Sequence, residues 1–244
     1  MLKRILKYLL IGIAACYIVF AFIVVPNIPD NSRCKGVLIS VTNDKNGNLT
    51  NGYIMEMLQT SGIDPSKKEM DSISCRQIEE LLKRITLIKE CQVYKGTTGF
   101  INVDIECRTP ILQVYEMNGQ SYYIDANGDS IIGIMKAIHL PIANGYITKE
   151  MRKKELKEIA NTIYNDPFWL AQIEQIHFDK KGGIILVPRV GNHIIEFGTA
   201  DNATEKLSKL YTFYSKGLNT IGWDKYEKLN IEFNDKVIGT KRNK

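Results

Sequence analysis

The chain has 244 residues, 44% hydrophobic and 24% charged, with 32 Lys and Arg against 27 Asp and Glu and a formal net charge of +5. That composition excludes a disordered tail protein and suffices for one large or two small cores. Much of the positive excess sits in the flanks, at Lys3, Arg4 and Lys7 and at Lys241, Arg242 and Lys244.

From Tyr8 to Val25 no side chain is charged, and Pro26 closes this run of 18 residues. A membrane span needs about 20. The basic residues before the run place residues 1–7 in the cytoplasm and everything after Val25 outside, although Arg33 and Lys35 on the far side weaken the asymmetry. Ile23, Val24, Val25 and Pro26 offer no small-residue cleavage site. Ile13-Ala14-Ala15-Cys16 resembles a bacterial lipoprotein box, but Tyr17 to Val25 stays apolar where a chain released at Cys16 would turn polar. The expectation is a single uncleaved transmembrane helix over 8–25, then a stiff linker over 26–33 rich in Pro and Asn.

Val37, Ile39 and Val41 alternate as a short strand. Thr50 caps a helix that turns Ile54, Met57 and Leu58 inward and stops at Gly62 and Pro65. Ser74 and Gln77 form a capping box before a second helix, in which Ile78, Leu81, Leu82 and Ile85 make one stripe. Strands over 91–95 and 100–107 follow, joined by Gly96-Thr97-Thr98-Gly99. Residues 34–108 are thus expected to form a βααββ domain. Cys34, Cys75, Cys91 and Cys107 all lie there, and an oxidising compartment would permit two disulfides in three pairings. Buried thiols are favoured over bridges. Cys107 shares a face with Ile101, Val103 and Ile105, and Cys91 alternates with Val93, as small core residues do.

From Thr109 the pattern becomes rich in strands, over 111–116, 121–124 and 130–134, with Leu140-Pro141 and Asn144-Gly145 as irregular punctuation. Thr148 precedes a helix with Leu156, Ile159, Ala160 and Ile163 inward, ended by Pro167. Strands follow over 173–178, 184–187 and 194–197. Asn202 and Glu205 box a helix bearing Leu207, Leu210, Tyr211 and Tyr214, with Gly217 at its end. Leu229, Ile231 and Phe233 alternate in a last strand extended by Val237-Ile238. Residues 109–240 are expected as a mostly antiparallel β domain with two or more flanking helices, and 241–244 as a basic tail. The fold class is α+β.

Catalytic chemistry finds little support. His139, His177 and His193 have no Cys, Asp or Glu at metal-ligand spacing, and His193 alternates with Ile195 and Phe197 as a core histidine would. Asp125-Ala126-Asn127-Gly128-Asp129 has the alternating oxygens of a calcium loop but lacks its Gly and Glu, so a hairpin turn is expected. No glycine-rich phosphate loop, nucleophile elbow or HExxH helix occurs. No enzyme, cofactor or metal is expected, and no nucleic-acid partner, since the basic tail is short and would lie outside the cell.

In this order, the motifs resemble those of the FtsQ/DivIB family of bitopic bacterial cell-division proteins, whose first domain is a POTRA domain. The likeness rests on the strand leaving through Arg108-Thr109-Pro110, on Tyr123-Ile124-Asp125-Ala126-Asn127-Gly128, on Leu140-Pro141 followed by Gly145, and on Ile195-Glu196-Phe197-Gly198 with Lys206 to Leu210. Thr199 stands where some relatives carry Arg. The resemblance implies a non-enzymatic divisome scaffold in the inner membrane at the division septum, regulating septal peptidoglycan synthesis. It also implies partners of the FtsB/DivIC and FtsL type, bound by strand addition at the last strand, and other membrane-embedded division proteins. On this basis the binding edge is expected at Phe233 to Thr240, with Phe233, Val237 and Ile238 as apolar contacts, Lys236 facing acidic residues, and Thr240 closing the edge. The alternative is a POTRA-type chaperone or transport adaptor anchored in the same membrane.

Overall fold

The computed structural model describes residues 10–20, 33–45, 47–66, 68–134, 136, 138–233 and 236–242. Residues 10–20 are helical, and Leu10, Ile11, Ile13, Tyr17, Ile18, Val19 and Phe20 are all exposed. Among the described residues no helix is long and apolar enough to cross a membrane. The rest of the expected span, the tail over 1–7 and the linker up to residue 32 lie outside the described residues. Two compact units follow, a smaller one built mainly on 55–80 and 92–104, and a larger one from Ile105 onward that also takes in 41–54 and 81–91.

A three-stranded sheet has the order β1-β3-β2, formed by β1 (Val37–Thr42), β2 (Ile88–Lys95) and β3 (Ile101–Cys107). Between β1 and β2 run α1 (Asn51–Thr60) and α2 (Cys75–Leu82). Thr50 starts α1 by accepting the Tyr53 amide at 3.2 Å, and Ile54 and Leu58 are buried. Ser74 accepts the Gln77 amide at 3.4 Å at the head of α2. That helix stops one turn early, because the Arg84 and Ile85 amides tighten onto the Leu81 and Leu82 carbonyls. Ile85, expected in its stripe, therefore sits beyond its end and half-buried. Cys34, Cys91 and Cys107 are buried thiols, as expected, while the Cys75 thiol is half-exposed. Burial, with the Asp44 charge second, pushes Cys107 up to about 11, so it stays protonated near neutrality.

The second sheet has nine strands: β4 (Leu112–Tyr115), β5 (Ser121–Ile124), β6 (Ser130–Ile131), β7 (Ile142–Gly145), β8 (Ile173–Phe178), β9 (Ile184–Pro188), β10 (Ile194–Gly198), β11 (Tyr226–Asn230) and β12 (Ile238–Lys241), in the order β12-β11-β10-β9-β8-β7-β4-β5-β6. Five of its pairings are antiparallel, and β4·β7, β7·β8 and β10·β11 are parallel. The expected β-rich domain is there, with one correction at its centre. Residues 142–145 are not punctuation but an interior strand, held in register by Ile142↔Gln175 on one side and Gln113↔Ile142 on the other. Pairing on both sides imposes extended structure on Ile-Ala-Asn-Gly, whose propensity is poor.

Helices cover one face of this sheet. Thr148 caps α3, which runs through Lys149–Met151, a wide turn Arg152–Leu156 and Lys157–Tyr164. Pro167 then opens a further helix, α4 (Pro167–Gln172), rather than only ending α3, because Asp166 accepts the Phe168 and Trp169 amides and proline suits a first helical position. The last helix, α5, comprises Ala203–Thr212, Phe213–Leu218 and Asn219–Ile221. Asn202 takes a left-handed conformation with no side-chain cap, so the expected box is not made. Gly217 lies inside α5, which Gly222 ends at φ 94°. Tyr214 is buried but Tyr211 is exposed. Leu156, Ile159, Ala160, Ile163, Leu207 and Leu210 pack over Val114, Ile176, Leu186, Ile195 and Leu229 in one core.

The turn over 125–129 is a hairpin connector between β5 and β6, as expected. Asp125 accepts the Asn127 and Asp129 amides, each at 2.9 Å. Arg108 reaches both carboxylates, at 2.6 Å to Asp125 and 3.1 Å to Asp129, and Lys153 bonds Asp129 as well. The Lys153 bond holds the Asp129 carboxyl below its usual range. Both carboxylates of the loop are thereby committed to the fold.

Two polar groups are buried in the core. Lys206 is 3% exposed; its ammonium donates to the Phe197 and Thr199 carbonyls at 3.2 and 2.9 Å, 5.0 Å from the Phe197 ring centre. His193 is 2% exposed, with Nε2 at 2.7 Å from the Tyr214 hydroxyl and Nδ1 without a hydrogen-bond partner. Burial, then the Arg242 charge, pulls its pKa below the ordinary value.

Two predictions follow from this packing. At φ 97°, a Cβ on Gly145 would lie 2.2 Å from the Phe178 carbonyl oxygen. Gly145→Ala should therefore lower unfolding stability by at least about 1–3 kcal/mol in urea titrations. The folded state holds the His193 proton less readily than the unfolded chain, so stability is full above about pH 6.5 and falls as pH drops through that value toward the folded pKa. His193→Gln, which cannot titrate, should flatten the loss of thermal stability between about pH 7 and 5; an unchanged slope would assign that loss to other groups.

Candidate partner-binding edge

Strand β12 ends the nine-stranded sheet, so one side of its backbone is open. All four of its residues are exposed. It pairs antiparallel with β11 in the register Asn230↔Ile238, Leu229↔Gly239, Lys228↔Thr240 and Tyr226↔Lys241, with a bulge between Tyr226 and Lys228. β11 in turn lies parallel to β10, with Ile195↔Leu229 and Glu196↔Asn230. Ile238 and Thr240 therefore share the open face with Glu196, Lys228 and Asn230, away from buried Leu229. On that face Glu196 accepts from Lys228 at 3.1 Å and from Asn230 at 3.3 Å.

The strand is pinned at both ends. Before it, the Lys209 ammonium on α5 donates to the Phe233 carbonyl at 2.6 Å, and Val237 packs against the core. After it, the Arg242 amide donates to the Lys225 carbonyl at 3.0 Å, and its guanidinium donates to the Asn192 carbonyl. At its centre the Tyr226 ring lies flush against Gly239, where a Cβ would come within 2.5 Å of Cε1. Tyr226 is held there by Phe213, with ring centres 5.8 Å apart. The absent side chain is what lets the edge lie close to its neighbour.

The expected edge over 233–240 is shorter in the structure, since pairing starts only at Ile238. Of the five expected residues, Ile238 and Thr240 stand in β12, while Phe233, Lys236 and Val237 belong to the segment before it. Phe233 is 48% exposed rather than continuing the buried alternation of Leu229 and Ile231. The Lys236 ammonium sits 5.5 Å from its ring centre. Sequence reasoning missed Gly239, Tyr226, Lys209 and Arg242. The glycine alone carried a signal, as a strand position that marks close approach.

The edge presents cations, Lys236, Lys241 and Arg242, with no carboxylate between Lys236 and Arg242. Its chemistry is therefore backbone hydrogen bonding framed by positive charge. Among the described residues, no group of three or more His, Cys, Asp or Glu is placed to hold a metal ion. His177 is bonded to Asn144 at 2.7 Å, and His139 is exposed.

Comparison with known proteins places this geometry. The POTRA-like domain family matches residues 32–106. The chain is also similar to the cell division protein FtsQ of Geotalea daltonii, 25% identical over 181 residues, covering 69% of this chain and 64% of that protein. The match thus spans less than two thirds of the relative's length. The family described as FtsQ/DivIB, C-terminal related, matches residues 109–240, more than half of the chain and the whole of the nine-stranded sheet up to Thr240, and the chain belongs to the FtsQ/DivIB family.

Proposed function

We propose that this protein is a non-enzymatic scaffold of bacterial cell division that receives a strand from a small bitopic partner at β12. The observation that carries the reading is the exposed, pinned terminal strand inside the family-matched segment. A flexible terminus would lose conformational entropy on every binding event, whereas a strand already in register offers its free N–H and C=O groups at lower cost. The cations around it favour an acidic partner segment, which in this family would be of the FtsB/DivIC or FtsL type. The name of the Geotalea relative supports the cell-division setting. In this reading residues 8–25 anchor the chain in the cytoplasmic membrane, residues 1–7 stay inside, and the domains over 34–108 and 109–240 work outside, at the septum. Recruitment or control of septal peptidoglycan synthesis follows from holding the partner there.

The test is co-purification of the full, membrane-bound chain from its own host, beside a chain truncated after Asn234 and one carrying Lys236→Glu and Lys241→Glu. Truncation should abolish capture of the small bitopic proteins. The double charge reversal should weaken it by about tenfold or more at low salt, with the deficit shrinking as salt rises. Equal capture by all three would move the binding site away from β12. Depletion of the protein should give filaments without septa; defective outer-membrane assembly instead would favour a transport adaptor.

A further inference from the structure

The small sheet ends in two unlike edges. β2 carries Lys89, Glu90 and Lys95, charges of the kind that discourage pairing with a further strand. β1 reads Val37-Leu38-Ile39-Ser40-Val41-Thr42, with neither charge nor proline, and it too is terminal in its sheet. Its inward row is also incompletely covered. Val37, Ile39 and Val41 are only half-buried, whereas Cys91 and Val93 of β2 and Ile101, Val103 and Ile105 of β3 are buried. On the other face Leu38 is 51% exposed. An uncharged edge whose apolar row is left partly open is a template for one more strand.

We propose that β1 pairs antiparallel with β1 of a second copy of this chain, joining two three-stranded sheets into one of six strands. The strand's own pattern names this occupant. With Ile39 opposite Ile39, Val37 falls opposite Val41, so all three inward residues meet apolar partners, while Leu38 meets Ser40 on the outer face. Lys35 meets Asn43 just beyond the strand. Self-pairing brings like charges together, a penalty that an uncharged strand avoids. The β12 edge, framed by Lys236, Lys241 and Arg242, would place cation near cation and is suited to an acidic partner instead. The two edges thus divide the work, β1 for a second copy and β12 for another protein. The β1 pairing rests on its own observations and stands whether or not β12 binds a partner.

The experiment uses the full chain in membranes, with Cys16→Ser and Cys75→Ser leaving only the three buried thiols. Ile39→Cys should give a disulfide-linked dimer under mild oxidation. Opposed antiparallel residues lie about 4.5–5.5 Å apart at Cα, within the bridging range of about 4.4–6.8 Å. Tyr94→Cys, exposed on β2, should stay monomeric. Val41→Lys, which sets a charge into the paired row, should cut the Ile39→Cys dimer by at least about tenfold. A second arm mixes differently tagged chains carrying Val37→Cys and Val41→Cys, expected to crosslink to each other. No dimer from Ile39→Cys in a chain that unfolds like the parent, no mixed dimer in the second arm, or equal crosslinking through Tyr94→Cys would each overturn the pairing.

Discussion

A nine-stranded sheet with helices on one face only is the constraint from which the larger unit follows. One buried face sets the alternation of interior strands such as β9 and β10, because a slip of one residue would carry the apolar row into solvent. The register Val114↔Tyr122, Ile176↔Leu186 and Ile195↔Leu229 shows the inner rows aligned. α3, α4 and α5 then have a single apolar surface on which to lie, and the sheet must end somewhere, which leaves β12 open.

Several polar groups in the larger unit hold that packing in place. The Asp125 turn spends its carboxylates on its own backbone, on Arg108 and on Lys153. Lys206, buried without a carboxylate at bonding distance, ties two carbonyls at the end of β10 to the first turn of α5. Its pKa is drawn down chiefly by burial, while the two carbonyl dipoles and the Phe197 ring favour the charged form. Lys209, one turn further along α5, holds the Phe233 carbonyl. A single helix thus fastens both the end of β10 and the segment leading to β12.

Geometry at the edge also explains why glycine stands at 239 and 145. At the first the Tyr226 ring, and at the second the Phe178 carbonyl, occupies the space of a Cβ. In both places backbone and neighbour approach closer than any side chain allows, and at Gly145 the positive φ adds a second reason. Gly145 pairs with Phe178 as the last residue of the parallel strand β7, and Gly239 pairs with Leu229 in the edge strand β12.

Period and punctuation in the chain determined most of the elements. The alternations at 173–178, 184–187 and 194–197 and the helical stripes at 54–58 and 156–163 need only local pattern, since each element must present one apolar row. The order of Arg108-Thr109-Pro110, the Asp125 turn and the Leu140-Pro141 segment pointed to the family. What lay beyond local pattern depended on partners distant in sequence. β7 is extended because β4 and β8 pair with both its sides, and Ile-Ala-Asn-Gly carries no such instruction by itself. Phe233 faces solvent because the strand ends at Asn230, which β10 decides through the Glu196↔Asn230 register. A terminal strand near the end of the chain was legible in the sequence pattern, but its start at Ile238, its pins at Lys209 and Arg242 and its glycine contact came from tertiary packing. Alternation says that a strand forms; only the neighbour it pairs with decides where it begins and ends and which side stays free.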